Sequence, residues 1–150
     1  MNVNYAKGDI FTQFGYEFVF ALDSTFKCDV GICKQFDDRY GIEATLKSIP
    51  VEASKWRGNG YCVSFDKGGE KFHALVVKAL PQQIPEYNNI ASALKTLASE
   101  IKNSGSVITR KLVFPHICCG SYDKRDWNKI EDIIKDVFKD VDVEILFIEN

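Results

Sequence analysis

Between Lys111 and Trp127 the chain reads KLVFPHICCGSYDKRDW, and this stretch gathers several groups able to do chemistry. An apolar run of Leu112, Val113 and Phe114 stops at Pro115. His116, Cys118, Cys119, Ser121, Tyr122 and Asp123 follow before an amphipathic segment begins near Asp126. A loop cysteine near a helix N-terminus can have a lowered pKa and act as a nucleophile, with His116 or His73 as its partner. Ser121 fares no better as a hydrolase nucleophile, because CCGSYD lacks the G-x-S-x-G turn that exposes such a serine. Against both stands the ordinary reading of a strand-to-helix connection. Metal ligation is not expected: Cys28-x4-Cys33 and the adjacent Cys118-Cys119 lack zinc-site spacing, and only His73 and His116 could assist. Lys78, after the apolar run HALVV, reads on its own as a strand-end lysine reaching water. Asp9 after Gly8 reads as a turn residue.

The rest of the chain must position these groups. Its 150 residues favour one domain, residues 1–150, able to bury a core without a disulfide or metal staple. Apolar content of 45% and charged content of 27% fit an ordinary globular protein. The formal net charge of −2 gives no global attraction for nucleic acid or an anionic membrane, and KRDWNK is too mixed in charge to form a basic patch. No secretory leader and no run of 18 apolar residues is seen, so a cytoplasmic protein is expected, and a monomer. The five cysteines are then expected as free thiols.

Hydrophobic periodicity switches between 2 and 3.6 along the chain. NVNYAK is a short strand that breaks at Gly8, and EFVFALD is a strand covered on both faces. GICKQFDDRYG is a helix with Ile32, Phe36 and Tyr40 in line and Gly41 as its C-cap. EATLKSI is a short helical piece ending before Pro50. GYCVSFD and KFHALVVKAL are strands joined by the turn KGGE. YNNIASALKTLASEIKNSG is a helix with the stripe Ile90, Leu94, Leu97 and Ile101. RKLVFP is a strand, DWNKIEDIIKDVFKD a helix with Trp127, Ile130, Ile134 and Phe138 in line, and VEILFI a closing strand. Alternating strands and helices predict an α/β class with a mixed sheet. Ligands then gather where loops leave the C-terminal strand ends: after FVFAL, after HALVV and after KLVFP.

In that order, NYAKGDIF, FALDSTFKCDVGICKQFDDRYG, LVVKALPQQIPEY and VFPHICCGSYDKRDWNKIEDIIKDVF resemble a macro domain over nearly the whole chain. The pattern is most similar to terminal ADP-ribose protein glycohydrolases and to macro-domain antitoxins that remove ADP-ribose from DNA. The resemblance implies a three-layer α/β/α sandwich with a mixed central sheet and a cleft for ADP-ribose or an ADP-ribosylated macromolecule. It implies no cofactor and no metal. Asp9 and Ile10 would meet adenine. Asp23, Ser24, Gly31 and Ile32 would pass the distal ribose and the diphosphate. Ile117, Cys118, Cys119, Gly120, Ser121 and Tyr122 would form a second phosphate clamp. Lys78 would be the nucleophile on the ribose and Asp123 the acid/base.

This chain also departs from the family pattern. Asp29-Val30-Gly31 stands where glycine-small-glycine is usual, and Cys118 where a glycine is usual. The final loop is one residue longer. A carboxylate at about 6 Å from a phosphate, at an effective dielectric near 20, repels it by roughly 2–3 kcal/mol. The expected activity is hydrolysis of an ADP-ribosyl link to protein or nucleic acid. The alternatives are an ADP-ribose 1″-phosphate phosphatase, a non-catalytic ADP-ribose or nucleotide reader, and a cleft that has lost ADP-ribose.

Overall fold

The structure is a computed structural model and describes residues 1–149. Six strands form one mixed sheet: β1 (Asn2–Lys7), β2 (Glu17–Asp23), β3 (Tyr61–Lys67), β4 (Glu70–Lys78), β5 (Arg110–Phe114) and β6 (Val143–Glu149), in the order β1-β6-β5-β2-β4-β3. All neighbours are parallel except β3 and β4, a hairpin turned by Gly68 and Gly69, both at positive φ. Positive φ at two successive positions is what a two-residue hairpin needs and what glycine supplies without strain.

Side chains alternate across the sheet and build a core on each face. Leu75 and Val77 of β4, Leu112 and Phe114 of β5, and Ile145 and Phe147 of β6 point to one face. There they meet α4 (Tyr87–Asn103) and α5 (Trp127–Phe138) through Ile90, Leu94, Leu97, Ile130, Ile134 and Phe138, all with no exposed surface. Phe72, Ala74 and Val76, with Phe18 and Phe20 of β2, point to the other face. They pack under α1 (Gly31–Tyr40) and α2 (Ile42–Lys47). Phe36 is the centre of that layer, with ring centroids 5.1 Å from Phe18 and 5.4 Å from Phe20 and Phe72. Aromatic pairs at such spacing add about 0.5–1.5 kcal/mol each beyond their burial. The expected three-layer sandwich is therefore the architecture observed. No helix among the described residues is long and apolar enough to cross a membrane.

Local chemistry sets the element ends. Gly41 stands at φ 71° and its N–H donates to Asp37 O, closing α1 as expected. Asp126 accepts from Asn128 N and caps α5. Gly60 lets β3 approach α4 directly: a Cβ there would lie 1.9 Å from Asn89 O. The expected strand KFHALVVKAL stops at Lys78, because Ala79 and Leu80 turn their N–H groups to Gln83 Oε1. Two short elements escaped the periodicity: α3 (Val51–Ser54) after Pro50, and a 3-10 turn over Ile10–Thr12. Cys28 and Cys33 are joined in a disulfide with a Cα–Cα distance of 4.9 Å, which corrects the expectation of five free thiols. The turn into α1 brings them together, and their separation by five residues carries no such signal.

A buried polar network links the starts of the strands. Arg110 donates to both oxygens of Glu17, and Glu17 Oε1 lies 2.7 Å from His73 Nε2. His73 has no exposed surface. Burial alone would raise the Glu17 carboxyl, but the hydrogen bonds from Arg110 and His73 outweigh it and hold it at about 2, against an ordinary 4.5. A carboxyl depressed by folding stabilises above its unfolded value, and that stability is lost as pH falls through the folded one. Stability against urea should thus fall as pH drops from 4.5 to about 2, with Glu17 contributing roughly 1–3 kcal/mol. Glu17→Gln should lower stability at neutral pH and flatten the acid limb. An unchanged acid limb in that variant would remove Glu17 from the account.

Candidate functional site

The sheet order reverses between β5 and β2. From β2 the chain leaves through α1 toward β3 and β4, and from β5 through α5 toward β6. Loops diverging in this way open a crevice at the C-terminal strand ends. A cavity of about 680 Å³ lies there, walled by the ends of β2, β4 and β6, by the first turn of α1, and by the loop after β5. The volume suits a ligand of nucleotide size.

Lys78 closes the floor and is 7% exposed. Its Nζ donates to Pro81 O at 2.7 Å, Gln83 O at 3.0 Å and Asp123 Oδ1 at 2.5 Å. An ammonium has three N–H donors, and all three are used. One side chain therefore ties the end of β4 to the 79–85 loop and to the loop after β5. Asp123 is three residues beyond Gly120, whose carbonyl accepts from Lys124 N, while Cys118 O accepts from Arg125 N. Arg125 in turn donates to Pro85 O and lies over the Tyr87 ring.

Two backbone features face the same space. Helix α1 has no side-chain cap: Val30 occupies the N-cap, and the first intrahelical donor is Lys34 N, bonded to Val30 O. The N–H groups of Gly31, Ile32 and Cys33 are thus the orphans of the first turn, and all three residues line the cavity. In the loop after β5, which also lines the cavity, Cys118 adopts φ 61°, a left-handed conformation that costs a non-glycine residue roughly 1–2 kcal/mol. Cys118 thus adopts the backbone shape that glycine would adopt freely.

Ten of the expected residues line the cavity: Asp23, Gly31, Ile32, Lys78, Ile117, Cys118, Gly120, Ser121, Tyr122 and Asp123. Four do not, and each has a local use. Asp9 Oδ1 accepts from Phe11 N and caps the 3-10 turn, while Ile10 is 2% exposed within the aromatic layer. Ser24 Oγ donates to Ala79 O, and Cys119 Sγ to Ile117 O. Asp23 lies on the wall, but its Oδ1 already accepts from the N–H and hydroxyl of Thr25. Asp29 and Val30, the departures from the family pattern, are both exposed on the cavity wall. Sequence reasoning missed Gln82, Ile148 and Glu149, which also line it, and considered His116, another lining residue, only as a partner for cysteine. Gln82 falls in a loop already marked by its place after β4. Glu149 had no signal, because only the parallel pairing of β6 brings its end to the cavity.

Cysteine chemistry loses its footing in this geometry. Burial raises the Cys118 thiol well above its ordinary value, and the Asp123 charge adds to this. Burial, with Asp126 and Asp123, pushes Cys119 up to about 11. The helix-terminus lowering expected for a nucleophile is therefore overridden. Native protein at neutral pH should accordingly resist alkylation at both thiols by at least about tenfold relative to the unfolded chain. Fast labelling of Cys119 in the native state would contradict this.

No family model matches the chain. It is 23% identical over 144 residues to ADP-ribose glycohydrolase OARD1 of Bos taurus, covering 95% of this chain and 88% of the relative. The macrodomain of Mycobacterium tuberculosis DarG superposes with a TM-score of 0.78 at 17% identity, over 97% of this chain and 96% of the other. Thermosipho africanus DarTG, solved in complex with ADP-ribose, superposes with a TM-score of 0.80 at 14% identity, over 99% of this chain and 42% of that longer one. The chain has the macrodomain fold.

Proposed function

We propose that the cavity binds ADP-ribose and that the protein hydrolyses the bond between an ADP-ribosyl group and a modified protein or nucleic acid. The observation that carries this reading is the Lys78–Asp123 pair, a buried lysine at the end of β4 and a half-buried aspartate of the loop after β5, both lining a nucleotide-sized cavity. The orphan amides of α1 support a diphosphate on the opposite wall, since helix N-termini favour anions. The Bos taurus relative is named for glycohydrolase activity and the Thermosipho structure for its ADP-ribose complex, and both agree with this reading.

The chemistry follows from proton positions. Lys78 Nζ passes the proton it shares with Asp123 to that carboxylate and keeps two N–H groups on Pro81 O and Gln83 O. Asp123, now protonated, moves off the Nζ axis toward the leaving atom, and the freed lone pair attacks the anomeric carbon. The bond from that carbon to the leaving group breaks, and the leaving atom takes the proton from Asp123. Water then cleaves the nitrogen–carbon bond, releasing ADP-ribose and restoring the pair. The same reading has the protein acting as a cytoplasmic monomer.

A second reading, a binding module without turnover, is favoured by one observation: all three Lys78 protons are held by acceptors, and no lone pair is free. The two readings part on a substrate carrying ADP-ribose on protein or DNA. The hydrolase reading expects free ADP-ribose as product, loss of turnover in Lys78→Met, and a fall of about 10²–10⁴-fold in Asp123→Asn. A fully active Lys78→Met would eliminate the lysine mechanism. Tight binding with no product from the wild type would establish the reader.

A further inference from the structure

At the far end of the sheet from the cavity, a second group of chemically active side chains comes together. Cys62 and Ser64 lie on one face of β3, and His73 of β4 is the register partner of Ser64. Glu100 reaches them from α4, which covers this hairpin, and its exposure opens the group to solvent. Cys62 Sγ, His73 Nδ1 and a Glu100 carboxylate oxygen all lie within 4.8 Å of one another. Ser64 Oγ sits among them, 2.6 Å from His73 Nδ1, 2.7 Å from Glu100 Oε2 and 3.8 Å from Cys62 Sγ.

We propose that Cys62, His73 and Glu100 form a site for a divalent transition-metal ion of the zinc class, with Glu17 as the outer carboxylate that orients His73. Two independent observations carry it. The first is the orientation of the imidazole. Glu17 accepts from Arg110 through both oxygens, so the 2.7 Å contact to His73 Nε2 is made by an Nε2–H donor. With Nε2 engaged by Glu17, the Nδ1 edge of the ring faces Ser64, Cys62 and Glu100. A carboxylate behind the non-ligating nitrogen is the usual support of a metal-binding histidine.

The second observation is a count of hydrogens. Ser64 has one hydroxyl hydrogen, yet His73 Nδ1 and Glu100 Oε2 both approach its oxygen within 2.7 Å. One hydrogen cannot serve both. A cation at the centre of the group satisfies the nitrogen, the carboxylate and the sulfur together. An extra proton on Nδ1 is the competing solution.

The donor set fits the ion. Thiolate, imidazole and carboxylate are the ligands of borderline-soft divalent metals, and two anionic ligands neutralise the charge. Ligand atoms around tetrahedral zinc stand roughly 3.3–3.8 Å apart, so side-chain rotation is enough to close the group. Ser64 swings aside or ligates through Oγ, and the exposed side admits water as a further ligand. On binding, the Cys62 thiol gives its proton to solvent.

The site is tested on the purified, chelator-treated full chain with cobalt(II) as the probe. The expected result is a thiolate-to-cobalt charge-transfer band that saturates at one equivalent and is displaced by zinc. Cys62→Ala should abolish the band. Glu100→Gln, at an exposed position, should weaken the affinity by about tenfold or more while leaving the metal-free melting temperature unchanged. No band in excess cobalt, or a band that survives Cys62→Ala, would overturn the site and leave the extra proton as the solution. None of these outcomes depends on ADP-ribose.

Discussion

The cavity depends on one ion pair. Lys78 is buried at the end of a central strand, where an unpaired ammonium would cost several kcal/mol. It avoids that cost only if Pro81 O, Gln83 O and Asp123 converge on it together. The requirement ties the 79–85 loop to the loop after β5, and Arg125 reinforces the tie by donating to Pro85 O. Groups that would be catalytic partners are thus also what holds the site in shape. Removing either one would leave the other buried without its partner.

The walls are set by backbone, not by side chains. Val30 cannot cap α1, so the first-turn amides stay free toward the cavity. Cys118 adopts a left-handed turn at a cost that glycine would not incur, and its thiol is buried in the core behind the loop. The loop thus holds, with a cysteine, a turn that a glycine would adopt without strain. Asp29 is the departure that bears on ligand charge, because it is exposed on the cavity wall.

The sandwich was legible because its signals are periodic. The stripes of α4 and α5 and the near-continuous apolar runs of β4 and β6, buried on both faces, are long enough to read without any contact information. Lys78 and Asp123 were found through family spacing and not through chemistry, since a strand-end lysine alone says nothing about burial. For Asp9 the short motif reaches a local role, since its carboxylate accepts from the backbone N–H of Phe11 two residues away. The Cys28–Cys33 bond and the Cys62–His73–Glu100 group were not legible. Both depend on how the folded chain brings residues together, the first through a turn and the second through strand register and helix docking, which spacing does not encode.

The two ends of the sheet carry different polar chemistry. Near the strand starts, Glu17, Arg110 and His73 form a network with Ser64 and with the exposed Glu100 of α4. At the strand ends, a lysine–aspartate pair faces an open cavity. Calorimetric titration with free ADP-ribose, beside AMP, decides what the cavity at the strand ends holds. Saturable binding in the micromolar range or tighter is expected, well above the affinity for AMP, because the diphosphate and distal ribose would add contacts that AMP lacks. Absence of heat at millimolar ADP-ribose would contradict it, leaving a macrodomain fold whose cavity serves another ligand.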